Sequence, residues 1–222
     1  MKKLIRGIVD FRENVQPAWR ETFARLALGQ SPDALLIACS DSRVVPNLFA
    51  SSDPGDLFVI RNVGNLVPPC GEDGINIFDK SEAAGVEFAV EQLQVRDIIV
   101  CGHSECGANI AVLRGTQGLG GNLRSWLRHA EPSLVKLHAG STIECQHLAP
   151  HNQLSQLNVL QQLEHLRTYP SVRRALELGR LQLHGWWFDI ANAEVLAWEP
   201  SLNRFAPIDR NLAEAIMQRV DH

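Results

Sequence analysis

Two short stretches hold residue types that could do chemistry. "CSDSR" places Cys39, Asp41 and Arg43 close together, and "HSEC" sets His103 and Cys106 three apart. Two thiolates and one imidazole suit zinc, which takes four protein ligands in structural sites and three plus water in catalytic ones. Three ligands match the catalytic count. A bland reading stands beside it: a cysteine closing an apolar strand is often an inert core thiol, and His-x-x-Cys is short enough to arise by chance. Asp41 and Arg43 also admit two readings. They form a salt bridge near a helix start, where Asp is a good cap, or Arg43 holds Asp41 ionised by charge and paired hydrogen bonds. A carboxylate so held can accept a hydrogen bond from a hydroxide on zinc, or it can swing onto the metal and displace the water. The residues leave both open.

Elements must bring these side chains together. "DALLIAC", "LFVIRN" and "DIIVCG" read as short strands, apolar on both faces and separated by helical patterns, which predicts a parallel sheet covered by helices. Cys39 and His103 fall where the first and third strands end, in the region beyond the strand carboxyl ends where such sheets bind ligands. If those strands are neighbours, the thiols and the imidazole converge. Positions i and i+3 share a face on a helix's first turn, so His103 and Cys106 are expected to point together.

Residues 1 to 29 read as a helical arm: Leu4, Ile5, Ile8 and Phe11, then Trp19, Phe23, Leu26 and Leu28, recur at helix spacing, with Pro17 as a second start and Gly29 as a stop. Ser81 to Leu93 reads as a helix with Ala84, Phe88 and Leu93 inward. "VGNLVPPCGEDG" is a Gly/Pro-rich loop, and "GTQGLGGN" is a turn with no Lys-Ser/Thr to make a phosphate cradle. Residues 131 to 150 show no usable period. Helices are expected at 154–167 and 171–178, then a hairpin of "LQLHGWWFDI" and "EVLAWEP" around "ANA", then a helix from Asn211. The fold class is α/β, a mainly parallel sheet flanked by helices with an N-terminal helical arm, in one domain spanning 1–222.

The 222 residues carry 21 basic and 25 acidic side chains, a formal charge of -4, which speaks against nucleic-acid or anionic-membrane partners. Five cysteines, an odd count in a chain of this length, fit reduced thiols better than a disulfide framework. Cys101 lies inside the third strand and reads as a core thiol, Cys70 and Cys145 lie in loops with no partner at metal spacing, and all three read as non-ligands. The N-terminus does not read as a signal peptide, since Arg6, Asp10, Arg12 and Glu13 interrupt it, and no stretch approaches the ~18 apolar residues expected of a membrane span. A cytoplasmic protein is expected.

"CSDSR" followed by "GHSECG" resembles the β-class carbonic anhydrases, particularly bacterial members. "GQSPDALLIACSDSR", "PGDLFVIRNVGNLVPP", "GVEFAV", "DIIVCGHSECGA" and "HGWWFDI" extend the likeness over nearly the whole chain. The resemblance implies Zn2+ held by Cys39, His103 and Cys106, with Asp41 and Arg43 as catalytic dyad. It implies reversible hydration of carbon dioxide to bicarbonate and a proton. It further implies a homodimer or dimer of dimers, with residues 1–30 embracing the partner and the active site near the interface. By position, Gln30, Phe58, Val63 and Phe88 match residues lining the substrate pocket, and the Gly102 backbone lies beside the metal. Phe88 stands where many members have tyrosine, and "GEDGINIFDKSEAAG" departs from the family's shorter loop. Leu36, Arg61 and Phe188 occupy the positions of a regulatory bicarbonate site that uses Trp, Arg and Tyr in some members. Two of the three differ, so no such site is expected here.

Two thiolates make zinc a weaker Lewis acid than three histidines would, so activity is expected to rise through the alkaline range. The rival readings are a zinc enzyme hydrolysing carbonyl sulfide or carbon disulfide, a non-catalytic zinc-stabilised subunit, and a thiol redox protein, which lacks a Cys-x-x-Cys pair.

Overall fold

The computed structural model describes residues 1–71, 74–76, 79–140 and 143–220. The arm comprises α1 (Lys2–Asp10), a π-helical turn (Phe11–Val15) and α2 (Gln16–Leu26). It runs on through Pro17, which sits in the first turn of α2, and it ends at Leu26 rather than Gly29. Not one of its residues is buried, and Leu4, Ile5, Ile8, Phe11 and Val15 all stay exposed.

The sheet then builds from β1 (Ala34–Cys39), α3 (Pro46–Phe49), β2 (Leu57–Asn62), α4 (Lys80–Glu87) and β3 (Asp97–His103). Three helices follow: α5 (Gly107–Arg114), α6 (Gly121–Leu127) and α7 (Glu131–His138). After them come α8 (Pro150–Leu166), α9 (Pro170–Glu177), β4 (Gln182–Asp189), β5 (Glu194–Glu199), β6 (Arg204–Pro207) and α10 (Arg210–Val220). The strand order is β2-β1-β3-β4-β5-β6. The first four are parallel, and β4, β5 and β6 pair antiparallel.

β1 lies between β2 and β3, which is why all six of its residues are buried. Leu35 and Ile37 face a core with Ile98, Val100, Val159 and Leu163, while Leu36 and Ala38 face Ile99, Cys101, Val44 and Phe188. Each fully buried Leu or Ile contributes roughly 1.5–3 kcal/mol. β2 is different. It is the edge strand, so Val59 and Arg61 are exposed and only Asn62 is buried, against the expectation of a strand apolar on both faces.

The helix expected over 81–93 forms, but its phase is off by one. Ala83, Val86 and Ala89 are buried, whereas Ala84 and Phe88 are exposed; Leu93 does pack on the core. Ala83 and Val86 set the inward flank before the π turn at Phe88–Gln92, and the residue which that turn adds still brings Leu93 onto the core. Within the stretch that showed no period, residues 131–138 are helical, and β6 is a strand the sequence reading did not anticipate. "GTQGLGGN" ends in the first turn of α6. Glu72, Asp73, Ile77 and Phe78, part of the divergent loop, lie outside the described residues, as do Ser141 and Thr142.

α8 lies across β3 and is buried along most of its length. Its buried side chains include Asn152, Ser155, Asn158, Gln162 and His165, polar groups that satisfy the backbone of loops at the sheet's carboxyl edge. The approach is close: a Cβ on Gly102 would fall 2.6 Å from Val159 Cγ2 and 3.2 Å from Trp187 Cδ1. Helix-to-sheet packing therefore demands glycine at 102.

Candidate active site

β1 and β3 are adjacent and parallel, with Ala38 opposite Cys101. Cys39 is thus one residue, and His103 two residues, past that last shared rung. The chain then turns through Ser104 and Glu105, the latter in the left-handed region at φ 56°. That turn carries Cys106 back as N-cap of α5. His103 and Cys106 therefore meet across a tight turn, not on one helical face as the spacing suggested. The ligand atoms of Cys39, His103 and Cys106 lie within 4.8 Å of one another, and all three residues are buried.

The donor set fits a dication. His103 Nδ1 lies 2.8 Å from the Ser104 carbonyl oxygen, to which it donates, so Nε2 presents its lone pair. That Nε2 is buried and has no hydrogen-bond partner among the described residues, a costly state for a polar atom unless an ion takes the lone pair. Cys39 Sγ accepts the Gly64 N–H at 3.4 Å, and the Ala108 and Asn109 N–H groups at the start of α5 stabilise negative charge on Cys106. A hydrogen bond from the Cys106 thiol lowers the Cys39 thiol against the opposing effect of burial, while that same bond and burial push Cys106 up. Two thiolates and an imidazole are zinc ligands that leave a fourth position open.

Beside this cluster Arg43 grips Asp41 bidentately, Nε to Oδ1 at 2.9 Å and Nη2 to Oδ2 at 2.7 Å, and its backbone N–H adds a bond to Oδ1 at 2.9 Å. These bonds hold the Asp41 carboxyl well below the usual carboxylate range. Of the two placements open to Asp41, the geometry has it on Arg43. Arg43 Nη2 also donates to the Glu105 carbonyl oxygen at 3.0 Å, tying the dyad to the turn between His103 and Cys106. Asn152 receives the Glu105 N–H and, with His151, holds its carboxylate.

Arg61 is a site residue that sequence reasoning passed over except as one position of a regulatory pocket. Its guanidinium donates to the carbonyl oxygens of Cys39 and Asp41. The signal was available, because Arg61 stands at the tip of β2 just as Cys39 stands at the tip of β1. Of the other two positions in that pocket, Leu36 is fully buried and Phe188 stacks on Phe49 with ring centroids 5.0 Å apart. Cys101 is buried in the core, and burial pushes its thiol up to about 12.

The pocket residues divide. Val63 adjoins Gly64, whose N–H touches Cys39, and Gly102 adjoins His103, so both lie by the cluster. Gln30, Phe58 and Phe88 are not brought to it within one chain. Cys39 pairs with Asn62, whereas Phe58 pairs with Leu35, four residues and about 13 Å nearer the foot of the sheet. Phe88 packs on Phe58 at 5.8 Å between centroids, and Gln30 precedes Asp33, which bonds to Asp56 and Arg96 at that same foot. The physical reason is strand length: β1 separates its two ends.

The sequence profile of the carbonic anhydrase family matches residues 34–195. A carbonic anhydrase of Pseudomonas aeruginosa is 42% identical over 217 residues, covering 94% of this chain and 92% of that protein. Carbonic anhydrase 1 of Escherichia coli O157:H7 is 40% identical over 220 residues, covering 95% and 94%. Among solved structures, the β-carbonic anhydrase CcaA superposes with a TM-score of 0.83 at 40% identity, covering 93% of this chain and 98% of that one. A tetrameric β-carbonic anhydrase of Sordaria macrospora gives 0.68 at 31% identity, covering 88% and 92%.

Proposed function

The chain belongs to the bacterial β-class carbonic anhydrases, zinc enzymes, and from that we propose how its own residues hydrate carbon dioxide: Cys39, His103 and Cys106 hold the metal, and Asp41 with Arg43 aims the nucleophile. The observation that carries this reading is the buried Cys39–His103–Cys106 cluster with the Arg43-bound Asp41 carboxylate beside it. When bound, zinc supplies the Lewis acidity that makes a water-derived nucleophile available.

Asp41, kept ionised by Arg43, is an acceptor whose remaining lone pairs orient that nucleophile toward the carbon of carbon dioxide. Arg43 keeps Asp41 off the metal by occupying both carboxylate oxygens. Val63 provides apolar wall for an uncharged substrate. Arg61 fixes the backbone on either side of Ser40, and with it the angle between Cys39 and Asp41. A C–O bond forms, bicarbonate leaves, and the proton released passes to solvent.

The working unit in this reading is a homo-oligomer built from dimers, with one catalytic domain per chain and residues 1–30 as the dimerisation arm. Two features support it. The arm carries an apolar stripe that its own chain leaves exposed. Gln30, Phe58 and Phe88 lie at the foot of the sheet, away from their own chain's cluster, and in this reading they line the pocket of a partner subunit. Among the described residues no helix is long and apolar enough to cross a membrane, and we read the protein as cytoplasmic.

The test is stopped-flow carbon dioxide hydration by the zinc-loaded protein from about pH 6.5 to 9. Activity climbing through one alkaline ionisation is expected. Activity absent below about pH 8 and then rising steeply would place Asp41 on the metal instead. No activity at any pH with zinc bound would favour the sulfur-substrate or scaffold readings.

A further inference from the structure

We propose that the Val63–Gly64 peptide is a built-in clamp on the Cys39 thiolate, and that Trp126 and Asn158 are its positioning residues. The inference rests on the reading of Cys39 as a zinc ligand.

The peptide has two ends, and each is engaged. Its N–H, on Gly64, donates to Cys39 Sγ at 3.4 Å. Its carbonyl, on Val63, accepts the indole Nε1–H of Trp126 at 2.7 Å. A donor on the carbonyl of an amide polarises that amide, so the indole strengthens the N–H that faces the sulfur. The next peptide is held as well: Asn158 Nδ2, on α8, donates to the Gly64 carbonyl at 3.1 Å. Asn158 is itself fixed, because its Oδ1 accepts from Gln162 Nε2 at 2.9 Å.

The surrounding loop, "NVGNL", is closed on itself. The Asn62 side chain bonds the Leu66 N–H and carbonyl oxygen, each at 2.8 Å. Gly64 and Asn65 follow one another in the left-handed region, at φ 84° and 48°. A Cβ on Gly64 would fall 2.9 Å from Ala108 Cβ in α5, so glycine is required by both conformation and contact. α6 thus holds the amide itself through Trp126, α8 holds the peptide that follows it through Asn158, and α5 leaves room at position 64 for glycine alone. An N–H held on a metal thiolate sets the direction of its lone pair and its electron donation, and outer partners of this kind are worth about 10–100-fold in metal affinity.

The experiment compares zinc release into a chelator from wild type, Trp126→Phe and Trp198→Phe. Phenylalanine keeps the ring at 126 and removes the donor. Trp198, packed on Phe205 in the hairpin region, controls for loss of an indole. The expected result is zinc release about tenfold faster from Trp126→Phe, with Trp198→Phe like wild type. Release at the wild-type rate from a folded Trp126→Phe overturns the proposal. A second measurement needs no variant: with NMR-active cadmium in place of zinc, the Gly64 amide proton should show scalar coupling to the metal across the N–H···S bond. Asn158→Ala should weaken that coupling. Absence of coupling in wild type overturns the clamp, while a wild-type protein that binds neither metal overturns the ligand reading beneath it.

Discussion

Arg61, on the edge strand, holds the carbonyl oxygen of Cys39 with two N–H groups, Nε at 3.1 Å and Nη2 at 2.8 Å. Nη2 also reaches the Asp41 carbonyl oxygen at 2.8 Å. One guanidinium therefore spans the two backbone positions on which ligand and carboxylate hang. A lysine ammonium cannot reproduce that planar fork. We expect Arg61→Lys to lower kcat/KM about tenfold while zinc stays bound, checked by hydration kinetics alongside metal analysis. Wild-type kinetics would mean the strand tips hold this backbone without help.

Cys106 stands at the N-cap position of α5 and supplies one of the two sulfurs. Serine is favoured at that position and removes the soft ligand. Cys106→Ser should purify with little zinc and without measurable hydration. A Cys106→Ser protein with full zinc and full activity would remove Cys106 from the ligand set.

Asp41→Asn is close to isosteric and deletes the charge that Arg43 stabilises. A polar group aimed at the reacting atoms is worth about 10²–10³ in kcat, and a loss of that size is the expected outcome with zinc retained. Since Arg43 holds the Asp41 carboxyl well below the ordinary range, Asp41 is ionised throughout neutral and alkaline pH, and its own titration should not shape the rate profile there. An Asp41→Asn enzyme as fast as wild type would reduce the dyad to a salt bridge.

His165 is buried in α8, with its Nδ1 donating to the Val67 carbonyl oxygen at 2.7 Å. Burial, with His129 and Lys136 nearby, lowers its pKa in the folded protein, while Glu164 and the Val67 bond oppose the shift. The unfolded chain therefore binds more protons as pH falls through the imidazole range, and stability rises with pH across that window. Denaturant unfolding should show stability dropping between about pH 7 and pH 5, with a shallower slope in His165→Gln. An equal slope in the variant would assign the acid sensitivity elsewhere.

Deleting residues 1–15 removes α1 and the π turn, and none of their residues is buried in the chain. The core should survive. If the proposed assembly holds, sedimentation velocity should show the truncated chain as monomer beside a full chain that is dimer or larger, and hydration should fall with the loss of the pocket that Gln30, Phe58 and Phe88 are proposed to complete in a partner. A truncated dimer with full activity would locate the interface elsewhere.

Residue types and their spacing were enough to tell which atoms could do chemistry and at which end of the sheet. Cys39 and His103 close apolar strands, and a parallel α/β sheet offers those strand tips to ligands, so local pattern sufficed. Helix phase was less legible. At 80–92 the choice between Ala83, Val86 and Ala89 and the Ala84–Phe88 pair depends on which flank meets the core, which is a tertiary contact and not a property of the spacing. The approach of His103 to Cys106 depends on a left-handed Glu105, a conformation that side-chain chemistry does not specify. Trp126 and Asn158 were silent because their bonds close over 63 and 94 residues. Such contacts exist only after the order β2-β1-β3 and the seat of α8 are settled. The separation of Gln30 and Phe58 from Cys39 is likewise a property of the assembled sheet: a strand keeps its two ends apart, and only the register shows which residues stand at each.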